Sequence, residues 1–233
     1  MKQYFNKKNE EIEENIFWVT MSDLLLGLMI TFIILFVLAI LGYSTEKVTK
    51  QNQNMQTMEE INEKLVKNNL NIEIDKLANI VKISDLELFD SNSWELTQNG
   101  KNFLDKFLPL YFDVLLSDDD ISHKISQIVI EGHTDSNSFH QAKNDKDNYN
   151  LNLELSAKRA LSVSKYILSK NYNEKIDKNL YKKISINGRS YSNPVLNKDG
   201  SENFAKSRRV EFKIIYNEPS FVENILKNKN IRQ

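Results

Sequence analysis

Hydrophobic and polar positions along the chain follow three regimes, and each predicts a different element. Residues 16–43, IFWVTMSDLLLGLMITFIILFVLAILGY, are almost wholly apolar, with Asp23 the one charged residue among them. At about 1.5 Å per residue, such a run crosses a hydrocarbon core of roughly 30 Å with some tilt. No small-residue cleavage signature follows it, so a transmembrane helix is expected rather than a removable signal. Residues 44–79 open polar, TEKVTKQNQNMQTMEE, and then acquire Ile61, Leu65, Leu70, Ile72, Ile74 and Leu77. Met55, Met58, Ile61 and Leu65 are spaced for a helix that pairs in a dimer or lies against the next domain, and the segment holds no Gly or Pro, so a semi-ordered stalk or linker between membrane and globule is the preferred reading.

Residues 80–216 mix the two short periods. IVKISDLELFD alternates as a strand, and LTQNGKNFLDKFLPLYFDVLL gives an amphipathic helix from about Thr97. Asp118, Asp119 and Asp120 mark a loop, and ISQIVIEGHTD is a second strand ending at Asp135. Residues 136–150 are polar and are expected to be an inserted loop. LNLELSAKRALSVSKYILSK then reads as a helix with Leu155, Ala160, Val163 and Ile167 on its apolar side. KKISINGRSYSNPV gives a strand and turn broken by Gly188 and Pro194, and RRVEFKIIY is a strand with Val210, Phe212 and Ile214 on one face. A tail at 217–233 is expected to add a short terminal helix. The fold class expected is a single N-terminal transmembrane helix plus a two-layer α/β domain.

Within the apolar run, Asp23 lies about two turns from the start, where a carboxylate is costly unless it faces protein, water or an ion path. At about 100° per residue, Thr20, Asp23, Gly27 and Thr31 share an arc of about 80°. That face offers a carboxylate, two hydroxyls and a glycine at which another helix can approach, so oligomerisation or a membrane partner is implied. Two blander readings stand beside it: Asp23 reaching back to the interface, and the threonines bonding to their own backbone carbonyls.

Charge changes the picture little. The formal net charge of -1 argues against direct nucleic-acid binding. Residues 85–155 carry 14 acidic and 5 basic side chains, and 156–213 the reverse, which suits attraction within one domain, a basic half facing an anionic polymer, or equally a solvated surface with uneven charge. Lysines on both sides of the apolar run leave its orientation open. With no cysteine, disulfides and thiolate chemistry are excluded. His123, His133 and His140 show no zinc-type spacing, so no metal and no cofactor are expected, and His133 is read as a hydrogen-bonded residue at a strand end that shapes a pocket. No Gly-rich phosphate loop or nucleophile–base pair is present, so an enzyme is not expected.

IEGHTD at 130–135, NLELSAKRA at 152–160, NGRSYSNP at 187–194 and SRRVEFKI at 207–214 resemble the peptidoglycan-binding domain shared by outer-membrane protein A and the flagellar stator B subunits. In front of them, SDLLLGLMITF resembles the stator B membrane helix, and most of all that of the B subunits of Zorya anti-phage defence motors. The resemblance implies that Asp135 and Arg159 clasp the ammonium and carboxylate of the diaminopimelate in a peptidoglycan peptide stem. Asn152 would take the polar position at the helix start. Arg208 and Arg209 would divide between a rim contact and support of the fold. Ser138 and Ser207 depart from the family's usual Gly and Asn.

The same resemblance implies residues 1–15 as a cytoplasmic tail, 16–43 in the bacterial inner membrane, and 80–216 in the periplasm at the cell wall. It implies a homodimer ringed by multi-span A-type subunits, with Asp23 as the ion-carrying residue and H+ as the ion, Na+ being the alternative. The function implied is a wall-anchored stator-like subunit of an ion-driven rotary motor in anti-phage defence. A flagellar or transport-type stator and a passive wall anchor are the alternatives.

Overall fold

The computed structural model describes residues 2–217, with side chains from Phe17 onward except that of Glu46. Two compact units divide the chain, one ending at Asn52 and the other beginning at Gln53. The first helix, α1 (Lys2–Lys67), contributes residues to both. In the first unit its apolar stretch is exposed all round, as at Leu35 (63%) and Phe36 (66%). A helix apolar on every side needs a non-aqueous surrounding. Among the described residues it is the one helix long and apolar enough to cross a membrane.

The second unit is built on a five-stranded sheet in the order β1-β2-β5-β3-β4. Its strands are β1 (Glu73–Asp75), β2 (Ile80–Ser84), β3 (Ile125–His133), β4 (Ile184–Gly188) and β5 (Arg209–Tyr216). Only the β3–β4 pair is parallel; β5 lies in the centre, antiparallel to both β2 and β3. Period-2 alternation sorts the side chains. Ile128 and Ile130 of β3, with Val210, Phe212 and Ile214 of β5, join the buried core. Glu131 and His133 alternate with the first set, and Arg209 and Glu211 with the second, so these four lie on the opposite face.

Helices cover the core face. In α3 (Gln98–Leu116), Leu104, Phe107, Leu108, Tyr111 and Leu115 repeat at helical spacing and are fully buried, and Phe107 and Tyr111 meet Phe212 edge-on at 5.1 and 5.5 Å. The Thr97 hydroxyl caps this helix by accepting from the Gly100 amide at 2.9 Å. In α5 (Asp145–Leu168), Ala160, Val163 and Ile167 are buried. The approach of α5 to the sheet is close enough that a Cβ at Gly132 would lie 2.0 Å from the Ser156 carbonyl oxygen.

Several expectations are corrected. The expected stalk is not a separate segment, because Met58, Ile61 and Leu65 at the end of α1 are 0–1% exposed within the core and β1 falls inside 44–79. The folded unit therefore begins near Gln53 rather than at residue 80. Burying each such side chain contributes about 1.5–3 kcal/mol, which is why the helix end belongs to the domain. The first expected strand stops at Ser84, after which α2 (Asp85–Leu88) turns the chain. The Asp118 carboxylate caps α4 (Asp119–Lys124), so its acidic run opens a helix instead of a loop. Part of the expected 136–150 loop is the first turns of α5, capped by Asn144. A further helix, α6 (Glu174–Lys183), and a short one, α7 (Phe204–Ser207), were not expected. The expected terminal helix lies outside the described residues.

Candidate functional site

Beyond the ends of β2 and β3 opens a cleft of about 680 Å3, lined by Asp85, Trp94, Asp135, Asn152, Arg159 and Arg208 among others. Each expected domain-site residue is here, brought from a different part of the sequence. Asp135 lies two residues beyond the end of β3, Arg159 comes from the middle of α5, and Arg208 immediately precedes β5. Asn152, buried in α5, donates to Asn148 at its carbonyl oxygen (3.0 Å) and its Oδ1 (3.2 Å). That Oδ1 also accepts from the Phe139 amide at 3.0 Å, so Asn152 braces the loop that walls the cleft.

Both expected clasping groups already hold internal partners. The Arg159 Nε donates to the Ser93 carbonyl at 2.8 Å, and its Nη1 lies 3.1 Å from Asp85 Oδ1. The Phe89 ring lies 5.2 Å from the guanidinium carbon. Arg159 and Asp85 are 2% and 3% exposed, which makes this a buried ion pair. Burial pushes the Asp85 carboxyl up to about 6, and Asp135 adds to this, while Arg159 and Arg208 pull the other way. The Asp135 carboxylate pairs with Arg208 and accepts from the Asn137 backbone (3.2 Å) and side-chain amide (3.0 Å).

Asp85 was not among the expected site residues, because the alternating run across it masked the end of β2. Trp94 was also missed; its ring sits 4.2 Å beneath the Lys158 ammonium at the cleft wall. The arginine pair divides: Arg208 reaches Asp135, while Arg209 donates to Glu211 (2.6 Å), the Ser207 carbonyl (2.9 Å) and the Asn193 carbonyl (3.3 Å). Ser207, where the family usually has Asn, accepts from the Val195 amide at 3.0 Å and secures the segment before Arg208.

His133 does not line the cleft, contrary to the expectation that it shapes the pocket. Its Nε2 lies on the opposite sheet face, 3.7 Å from Glu131 and 3.5 Å from Glu211. The ligand atoms of this trio lie within 4.8 Å of one another, a grouping that linear spacing did not reveal. Asn187 donates to Glu131 at 3.0 Å. Burial would raise the Glu211 carboxyl, but the nearness of His133 and Arg209 outweighs it and holds the group down to about 2.

The second candidate site lies in α1. Asp23 is the only charged residue among 17–43. Beside it, Thr20 Oγ1 donates to the Phe17 carbonyl (2.9 Å) and Thr31 Oγ1 to the Leu28 carbonyl (2.7 Å). A methyl at Gly27 would meet nothing within 4 Å. The hydroxyls thus have backbone bonds of their own, and the carboxylate is the chemically distinctive group on this face.

Residues 88–208 match the OmpA family. A relative described as Zorya protein ZorB, from the Crooks strain of Escherichia coli, is 30% identical over 224 residues, covering 92% of this chain and 94% of the relative. A second protein of that description, from an ETEC strain of the same species, is 26% identical over 220 residues, covering 89% and 83%. Among solved structures, a MotB like protein from Desulfovibrio vulgaris is similar with a TM-score of 0.50 and 21% identity, covering 76% of this chain and 98% of that one. The last likeness is one of fold.

Proposed function

The chain belongs to the Zorya ZorB family, with an OmpA-family domain in its second unit, and from that premise we propose that it is a wall-anchored, stator-like subunit of an ion-driven membrane motor in anti-phage defence. The observation that carries this reading is the single carboxylate, Asp23, in a helix otherwise apolar enough to span a bilayer. An isolated ionisable group in a span is expensive and is retained for ion transfer or for pairing.

In this proposal the chain is a homodimer ringed by multi-span partner subunits. Its N-terminus is cytoplasmic, its span lies in the inner membrane and its OmpA-family domain is at the wall. The Thr20–Asp23–Gly27–Thr31 face meets the partner. Protonation of Asp23 removes a charge and changes its contacts with neighbouring helices, and release restores them; H+ is the ion proposed. The cleft in the second unit holds a diaminopimelate-containing peptide stem, so that the subunit stays fixed while the ring turns. Arg159 and Asp135 in one cleft support binding of a ligand with both carboxylate and ammonium groups. This is mechanical work driven by an ion gradient, with no covalent step assigned to the chain.

The test replaces Asp23 by Asn, which keeps size and hydrogen-bonding capacity but cannot cycle its charge. Asp23→Asn is expected to insert and assemble with its partner yet give no protection against phage and no ion flux, whereas Asp23→Glu retains part of both. Full protection by Asp23→Asn in an infection assay would refute ion transfer at this residue. Loss traced wholly to failed assembly would reduce Asp23 to a packing group.

A further inference from the structure

The stem-binding reading of the cleft leaves one of its groups without a role. Asp85 sits at the start of α2, and its backbone amide donates to the Arg208 carbonyl at 3.2 Å. Its side chain is buried against Arg159, Nη1 to Oδ1 3.1 Å, in the wall of the cleft. Apart from this ion pair, Oδ1 has no hydrogen-bond partner. A carboxylate on the guanidinium that is meant to receive a ligand carboxylate is a competitor for it.

We propose that Asp85 is a specificity-determining residue of this cleft, and that a ligand carboxylate binds Arg159 together with a proton taken up by Asp85. Two carboxylates facing one buried guanidinium leave a net negative charge in a poorly solvated site, and a proton on one of them removes it. The proton goes to Asp85 rather than to the ligand, because a free α-carboxyl is ordinarily the stronger acid, titrating at about 3.5. The groups facing Asp85 are Arg159 from α5, Arg208 from the segment before β5 and Asp135 after β3, with Lys158, Glu154 and His140 further along the cleft lining. Burial has already lifted Asp85 to about 6 in the free protein, so the proton is available near neutrality.

Above about 6 Asp85 is charged, ligand and proton must enter together, and affinity falls about tenfold for each pH unit of rise. Below that value Asp85 carries its proton beforehand, and affinity levels off. Between pH 8 and pH 5 the gain is about a hundredfold. Stems that present a neutral carboxamide to Arg159 escape this penalty, so the cleft discriminates less against amidated stems as pH rises.

The inference rests on the stem-binding reading, and titration calorimetry on the detergent-solubilised full-length chain separates the two. The probe is a diaminopimelate-ended stem tripeptide, titrated from pH 5 to 8 in buffers of different ionisation enthalpy. Wild type is expected to show the hundredfold gain on acidification and uptake of about one proton per ligand at pH 7.5. Asp85→Asn is expected to bind without proton uptake and with a flat profile. Histidines as a class titrate in this window, so His140→Gln is measured as well and is expected to keep the slope. A flat wild-type profile without proton uptake overturns the proposal even if Asp85→Asn fails to fold. A slope that vanishes in His140→Gln overturns it too. Absence of tripeptide binding at every pH overturns the stem-binding reading itself, and the proposal with it.

Discussion

A methyl group at Gly132 would sit 2.0 Å from the Ser156 carbonyl oxygen and 2.8 Å from its carbonyl carbon, both in the α5 backbone. Relief requires the helix that carries Arg159 to move off the sheet. Gly132→Ala is therefore expected to destabilise the chain by about 3 kcal/mol. Gly200 has the opposite problem: its φ is +84°, but a methyl there meets nothing within 4 Å. Gly200→Ala should cost about 1 kcal/mol through backbone strain alone. Denaturant unfolding of the two variants measures the difference. If contact at α5 matters as argued, the tripeptide affinity drops only in Gly132→Ala, because only that change displaces Arg159.

At the scale of elements, the end of α1 is the least expected part of the core. Leu65 is 1% exposed, beside Met58 and Ile61. Leu65→Ala should cost about 2–5 kcal/mol, read as a lower unfolding midpoint of the full chain, whereas the same change at exposed Val66 should cost little. The helical spacing of Met58, Ile61 and Leu65 was legible, but an apolar stripe does not say what it packs against, and a partner helix or this domain suits it equally. Long amphipathic elements such as α3, α5 and β5 were readable because their buried positions repeat over several turns or alternations. By contrast, α6 buries only Ile176 and Leu180 among Lys, Asn and Asp, too few for a period to emerge. Asp135, Arg159 and Arg208 came from motif resemblance. Asp85 had a signal of another kind: the alternation places it with Val81 and Ile83, and all three are buried. A carboxylate at an inward position demands a partner, and Arg159 is that partner.

For the molecule as a whole, the two candidate sites predict separable losses. Asp135→Ala is expected to weaken retention of the full-length protein on purified wall about tenfold or more, the worth of one charge-assisted hydrogen bond, while leaving membrane insertion intact. Asp23→Asn should leave wall retention unchanged. Co-sedimentation of both variants with peptidoglycan sacculi checks this, and equal retention of Asp135→Ala and wild type would remove Asp135 from the clasp.

The sheet order carries a consequence for how the protein is made. The central strand, β5, is the last of the five to be synthesised, yet it alone joins β2 to β3. Until residues 209–216 leave the ribosome, two exposed strand edges and the apolar faces of α3 and α5 have no centre to close upon. A message cut short anywhere between residues 53 and 209 would still encode Asp23 and its whole apolar helix, but no completed sheet and no Arg208 placed against Asp135. Translation thus runs from the ion-carrying candidate to the wall-holding one, and a prematurely terminated product would be a membrane helix without a grip.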